Sequence, residues 1–546
     1  MFVRIKKSGN NQYLQIVENR KVAGKVVQRV ISTIGRLDRL NEKGDIETLV
    51  RSLARYSEKV LLVLSGKSEP GVETKKIGPA LIFERLWKEL GLPKILDQVL
   101  AGRFFLFNVE RAVFLTVLHR LMVSGSDRFC DKWRRDYRIG GVEGLSLHHL
   151  YRAMSFLGEE IEEQTGATPF SPRCTKDRVE EAMFLHNRHL FSGLNIVFFD
   201  TTSIYFEGEG GESLGEKGFS KDNRPDLNQM IVGVVLDDNG TPLCCEMWPG
   251  NTTDVKTLLP VVERIKNRFH VVKFCIVADR GMISRDTLQV LESPDNAIPY
   301  ILGERMRKVK EVKEEVLSRA GRYHEVHPEG KTSKDPSPLK VKEVRLGDKR
   351  YIVCLNPKQA RKDAQDRAAI IQSLEEQLKR GAKKLVGNKG YRKYLKVDRE
   401  SISIDMNKVE EEAKFDGKWV LRTNMKLSAA NIALKYKELW QVEYAFRDMK
   451  STFETRPVFH QRDRTIRGHV FCSFLALVLR KELARRLEAA GHTLEWSDIK
   501  QDLKALQETV IEENGKRLAV RSQCLGTCGK TFQAVGVALP PTIREL

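Results

Sequence analysis

Apolar and polar positions alternate along two short runs near the start of the chain, QYLQIV and KVVQRVISTI, with a charged turn containing Gly24 between them. A period of two predicts a β-hairpin module with basic edges over residues 1–40. From about Pro79 the period becomes helical. PALIFERLWKEL stops at Gly91 before Pro93, Asn108 stands where it would cap VERAVFLTVLHRLMV, and Ser146 where it would cap LHHLYRAMSFL. A mostly helical region is therefore expected over 41–192, of a kind suited to binding DNA. After residue 193 the apolar runs take strand length: LNIVFFD, MIVGVVL and LCCEMW, then helix-like TLLPVVERIKNRF, then KFCIVAD and IPYIL. Strands joined by turns, then a strand after a helix, predict the first part of an α/β core over 193–302. Residues 303–425 include the hairpin-like LKVKEVRLGDKRYIVCLN and are too many for a loop, so they form an inserted domain. The core resumes over 426–480, and a helical C-terminal region, beginning with RKELARRLEAAGH, occupies 481–546.

The 546 residues and 41% hydrophobic content are enough for several cores. A formal net charge of +20 points to a polyanionic partner, and nucleic acid fits better than a membrane because Lys and Arg are interspersed with acids. No run of about 18 uncharged apolar residues occurs, and MFVRIKKSGNNQYLQIV is too polar for a signal peptide, so the expected location is the cytoplasm, on DNA. The nine cysteines read as buried thiols; CLGTC lacks a second ligand pair at zinc spacing.

The chemistry lies in three carboxylates. Asp200 closes VFFD and Asp279 closes VAD, each at the expected end of a buried strand, and Glu443 lies in YKELWQVEYAFRDMKST. Carboxylates held rigidly at a sheet's rim suit a hard divalent cation, and two such ions roughly 3.5–4 Å apart serve phosphodiester chemistry. At about 100° per residue, Tyr436, Trp440, Glu443, Arg447 and Lys450 share one helical face, and Leu439, Val442, Phe446, Met449 and Phe453 share the other. Other acids have simpler explanations. Asp254 reads as a helix N-cap, Asp286 follows Ser284 in a first turn, and Asp237 and Asp238 precede Gly240 in a turn. Thr201, Thr202 and Ser203 have no positioned base, which disfavours a covalent hydroxyl mechanism. Trp133 and Tyr137 in FCDKWRRDYR suit either a core or contact with bases. His186 and His189 share a helical face with no third ligand in view.

The blocks FFDTTSIYFEGEG, GFSKDNRPDLNQMIVGVV, PGNTTD, VADRGMIS, FDGKWVLRTN, YKELWQVEYAFRDMK and RPVFHQRDRTIRGHVF resemble the DDE transposases of insertion sequences, specifically the IS-four superfamily in its IS-sixteen-thirty-four branch. The resemblance implies a ribonuclease H-like catalytic core interrupted by a mainly β insertion domain and preceded by a mostly helical N-terminal region. It implies a Mg²⁺-dependent enzyme, with Mn²⁺ an alternative, that uses two ions held by Asp200, Asp279 and Glu443. Its partners would be double-stranded DNA, as terminal inverted repeats and target, bound by a homodimer on paired ends. The superfamily's Tyr, two residues, Arg, three residues, Glu, six residues, Lys pattern falls on Tyr436, Leu439, Glu443 and Lys450, with Leu439 in place of the arginine. Tyr436 and Lys450 would hold phosphates, Arg447 would partly compensate for Leu439, and Lys221 and Arg224 of GFSKDNRPD would contact DNA. A structure-specific nuclease and a decayed DNA-binding protein are the alternatives.

Overall fold

The computed structural model describes residues 1–22, 25–54, 71–168, 171–188, 195–271, 273–294, 296–327, 339–380, 392–397, 402–513 and 516–546. The turn at Gly24, His189 and the expected boundary at 192/193 lie outside them. The chain divides into two compact units, residues 1–74 with 508–521 and 541–546, and residues 75–507 with 522–540.

In the first unit Phe2–Ser8 (β1), Asn11–Val22 (β2) and Lys25–Arg36 (β3) form an antiparallel sheet. Pairing of Phe2 with Val17 adds a third strand to the two that alternation predicts. Gly71–Lys76 (β4) pairs with a strand from the far end of the chain.

The second unit is built on one sheet. Its first strands are Ile196–Tyr205 (β5), Gln229–Asp237 (β6), Pro242–Pro249 (β7), Cys275–Ala278 (β8) and Tyr300–Gly303 (β9). β5, β6 and β7 pair antiparallel in sequence, whereas β8 runs parallel to β5, and β9 parallel to β8. The resulting order, β7-β6-β5-β8-β9, with only the second strand reversed, is a ribonuclease H-like core. β5 outruns the expectation. Asp200 lies in mid-strand because TTSIY continues the alternation and pairs with β6 as far as Tyr205↔Gln229.

Residues 303–425 do not make a separate sheet. His324–Val326 (β10), Leu339–Leu346 (β11), Lys349–Leu355 (β12) and Lys418–Thr423 (β15) extend the core sheet from β9, giving nine strands in the order β10-β11-β12-β15-β9-β8-β5-β6-β7. Among the described residues only Leu395–Val397 (β13) and Ile402–Ile404 (β14) pair apart, and the 24-residue helix Pro357–Arg380 gives the insertion more helix than the expected mainly β character. The expected boundary at 480/481 falls inside the 27-residue helix Asp463–Ala489, because the apolar run VFCSFLALVL passes into RKELARRLEA with no breaker before Gly491. Beyond it, Gln507–Glu513 (β16), Lys516–Arg521 (β17) and Ile543–Glu545 (β18) complete a sheet with β4, so the C-terminal region is not purely helical.

The predicted caps hold the helical region. The Asn108 side chain accepts from Arg111 N–H at 3.0 Å, Ser146 forms a capping box with His149, and Gly91 takes the left-handed turn at φ +76°. Trp133 and Tyr137 are core residues, and their rings lie 4.1 Å apart. The helix Val109–Met122 is buried around nearly its whole girth and packs with Asp463–Ala489 in one core with Phe198 and Ile204 of β5. Gly468 lets the same long helix cross closely over the helix Leu147–Leu157, since a Cβ there would run into the carbonyl of Met154. On the sheet's other face, Val197 and Phe199 pack against the helix Leu258–Phe269.

Three buried cations and three buried acids tie that helix to Thr175–His186 and β7. Arg268 reaches Asp177 at 3.1 Å, Glu180 at 2.5 Å and Glu246 at 3.0 Å, Arg264 reaches Glu246 at 2.9 Å, and Lys176 reaches Asp177 at 2.7 Å. Removing one member leaves partners charged in a dry interior. Arg268→Ala is expected to destabilise the protein by about 3–5 kcal/mol, read as a lower urea midpoint.

Candidate active site

The parallel register of β5 on β8 ends at Phe199↔Ala278. The next residue on each strand is an aspartate, so Asp200 and Asp279 emerge side by side where β8 stops and β5 continues. Side chains alternate along a strand, which puts Asp200 on the face of Phe198 and Ile204. The helix Trp440–Arg447, which carries Glu443, packs on β5 and β6 from that side. Its two faces divide as expected, except that Tyr436 and Lys450, expected on the exposed face, lie outside this helix and are half-buried. Leu439, Val442, Phe446, Met449 and Phe453 are buried, while Trp440, Glu443 and Arg447 are exposed. After Arg447 the helix widens into a π turn over Asp448–Thr452, which carries Lys450.

Asp279 is held by Tyr436, whose hydroxyl donates to Oδ1 at 3.0 Å from the preceding helix, Ala429–Lys437. Burial, reinforced by the Asp279 charge, pushes the Tyr436 hydroxyl far above its usual range and keeps it a donor. Gly303 makes room for this contact: a Cβ at the end of β9 would run into Tyr436 Oη and the Arg280 amide. The turn after Asp279 is closed by the Met282 amide on the Asp279 carbonyl at 3.0 Å and braced by Arg305, which donates to the Arg280 and Gly281 carbonyls at 2.9 and 2.8 Å.

Asp254 belongs to this site and is not an N-cap. Its carboxylate accepts from Thr201 Oγ1 at 2.6 Å and lies 3.3 Å from Lys221 Nζ, which also donates to the Thr201 carbonyl at 2.7 Å. The 3₁₀ turn Asp254–Lys256 is instead flanked by Thr253. The local sequence pattern suits a cap; the one signal in the sequence that points elsewhere is that Asp254 ends PGNTTD, one of the blocks that carry the family resemblance. The hydroxyl residues after Asp200 serve as anchors, with Ser203 Oγ accepting the Lys221 amide at 2.8 Å.

Most of the residues expected to contact DNA are paired with acids. Besides Tyr436 and Lys221, Lys450 lies 2.8 Å from Asp222, and Arg224 makes a two-pronged pair with Asp226. Asp222 also takes Arg456 at 2.6 Å, a cation that the sequence reading did not single out. Arg447 is exposed, with its guanidinium 6.0 Å over the Tyr444 ring. Leu439 is 7% exposed and part of the core, so its position does not face the site.

Burial pushes the Asp200 carboxyl up to about 7, against the pull of Lys221, and the charges of Asp279 and Asp254 add to the rise. Such a surplus of negative charge fits a divalent cation. Among the described residues, Asp200, Asp279 and Glu443 do not bring their oxygens within 4.8 Å of one another; the one set of three donors that does is Asp127, His460 and His469. That set is already satisfied. His469 Nδ1 lies 2.9 Å from Arg120 and its Nε2 3.1 Å from the Thr455 carbonyl, and Arg120 stands 3.9 Å from Asp127, so an arginine occupies the place of a cation. His186 turns to the Glu89 carbonyl at 3.3 Å, and Cys524 and Cys528 are not joined in a disulfide.

Residues 191–479, more than half of the chain, match the family model described as Transposase DDE domain. The chain belongs to the DDE transposase family. Residues 3–68 match the model described as IS1634 family transposase, N-terminal domain. No curated protein matches significantly. Among solved structures, the transposase is similar to a piggyBac transposase synaptic complex with hairpin DNA, at 10% identity and a TM-score of 0.38, covering 80% of this chain and 82% of that one. Among the described residues of the transposase, no helix is long and apolar enough to cross a membrane.

Two outcomes follow for this site. A carboxyl raised from its ordinary 3.8 to about 7 holds a proton in the fold that the unfolded chain releases, so metal-free stability falls as pH rises between those values. Calorimetry in EDTA should find Asp200→Asn melting several degrees above wild type at pH 8, with the gap closing near pH 4. Leu439→Arg, which restores the superfamily pattern, should cost about 2 kcal/mol or more by burying a charge, lower the melting temperature and leave cleavage no faster.

Proposed function

We propose that this transposase cuts DNA at the ends of its element and joins the freed 3′ hydroxyls to a target duplex, both at one centre made by Asp200, Asp279 and Glu443. The observation that carries the reading is the emergence of Asp200 and Asp279 from adjoining parallel strands under the helix that bears Glu443. These three carboxylates would hold Mg²⁺, with Mn²⁺ an alternative, as two ions. Bound there, the metal supplies a nucleophilic water or hydroxyl at neutral pH and neutralises charge on the phosphate.

The protein's own groups do the positioning. The Tyr436 hydroxyl occupies one oxygen of Asp279 and so orients the other. Lys221, gripped by Thr201 and Asp254, sets a cation behind Asp200 that favours its charged, ligating form. Lys450 and Arg456 converge on Asp222 beside the catalytic helix, and exchange of that carboxylate for a DNA phosphate would give both a role in holding the strand. Arg447 supplies further exposed charge along the approach, and Arg224, half-buried and paired with Asp226, would join it by the same exchange. The substrates are double-stranded terminal repeats and target DNA, and the working form is a homodimer on paired ends in a bacterial or archaeal cytoplasm.

End-labelled DNA spanning a terminal repeat, incubated with Mg²⁺, tests the assignment. Asp200→Asn, Asp279→Asn and Glu443→Gln should each lose cleavage and joining while binding the ends within about twofold of wild type, because only ligand charge is removed. Full activity of folded Glu443→Gln would sink the assignment; cutting without joining by the wild type would make the protein a nuclease.

A further inference from the structure

A cavity of about 670 Å³ opens where the segment Glu454–Thr465 meets the helices Asp127–Trp133 and Leu147–Leu157. Four arginines line it: Arg152, Arg456, Arg462 and Arg464. Arg456 is paired with Asp222, but Arg152, Arg462 and Arg464 have no carboxylate at ion-pair distance among the described residues. In a chain where most site cations are matched to acids, three unmatched guanidinium groups around one hollow constitute an anion-attracting wall. Two acids also border it. Asp127 is engaged by His460 at 3.5 Å and by Arg120, while Glu454 is exposed at the margin.

The same cavity presents aromatic faces. Phe459 is 65% exposed and Tyr151 37%, whereas the large aromatics of the core are sealed from water. Tyr151 is held in place by the edge of His460, ring centroids 5.6 Å apart, and His460 is in turn bonded to His469 at 3.2 Å. Arg152 is steadied above Phe105 and Phe107 at 5.7 and 5.5 Å. A preset hollow with cations for phosphates and exposed rings for stacking is the chemistry of unpaired nucleotides. A duplex is too wide to enter such a hollow, and its stacked bases cannot lie on Phe459 or Tyr151. Through Arg456, Asp222 and Lys450 the cavity is linked to the helix that carries Glu443.

We infer that this cavity is a binding site for an unpaired stretch of DNA strand, distinct from the carboxylate centre, which grips the backbone with Arg152, Arg462 and Arg464 and stacks a base on Phe459. The inference rests on DNA being the substrate.

Fluorescence anisotropy in EDTA, with full-length protein and a labelled oligothymidylate, tests it against a labelled duplex of equal length. Phe459→Ala and the double variant Arg462→Ala/Arg464→Ala are expected to weaken single-strand binding about tenfold, with duplex binding within twofold and Phe459→Tyr close to wild type. All three residues are exposed, so unchanged melting temperatures are expected. Equal losses on duplex and single strand would reduce the cavity to general electrostatics and overturn the inference, as would no loss on either. Wild-type protein that binds duplex but not the single strand would overturn the inference alone; binding to neither would remove the DNA reading with it.

Discussion

Four parallel residue pairs, from Ile196↔Cys275 to Phe199↔Ala278, carry the organisation of the catalytic unit. Side-chain direction alternates with every residue along a strand, so a slip of one position between β5 and β8 would turn Asp200 away from the Glu443 helix. The register is specified from both faces at once. Phe198 belongs to the core shared with the long helix Asp463–Ala489, and Phe199 to the core under Leu258–Phe269, so neither can exchange sides without opening a core. The acids stand at the rim because β8 ends and the turn Asp279–Met282 begins. Burial at that rim pushes the Asp200 carboxyl up to about 7, and the neighbouring charges of Asp279 and Asp254 add to the rise.

Around that rim the protein answers charge with charge. Lys221 faces Asp254, Lys450 and Arg456 face Asp222, and Arg224 faces Asp226. The Lys221 and Arg224 pairs are half-buried to exposed, so each contributes little to folding, whereas Lys450 and Asp222 are nearly buried. The value of these pairs lies in direction: Lys221, Lys450 and Arg456 are each held in place near the rim by an acid. The deeper network of Arg264, Arg268 and Lys176 with Asp177, Glu180 and Glu246 is of another kind. It is sealed from water and joins helix, helix and strand on the side of the sheet away from Glu443.

Much of this is legible in the sequence. Strands around Asp200 and Asp279, the split of the Glu443 helix into wet and dry faces, and the caps at Asn108 and Ser146 follow from periodicity and cap chemistry, which act over a few residues. What escaped depends on contacts between distant segments. Asp254 looks like a cap because an acid before an apolar helix usually is one, and nothing local reveals that Thr201, 53 positions away, donates to it. The extent of β5 was cut short because Asp200 resembles a strand terminator, while the pairing that prolongs it lies in β6. Leu439 seemed a gap in a polar motif, yet its side chain had been assigned to the dry face by the same periodicity. The insertion was expected to stand apart because length suggests autonomy, whereas backbone hydrogen bonding to β9 is invisible in composition.

That continuous hydrogen bonding has a mechanical meaning. Nine strands at about 4.8 Å spacing make a plate roughly 38 Å across, with β10 at one margin and β7 at the other. A hinged appendage would absorb a push at its tip, but a plate transmits it as twist. A load applied at the β10–β11 margin would therefore reach β9, and through Gly303 and Tyr436 the orientation of Asp279, without any segment having to unfold or swing.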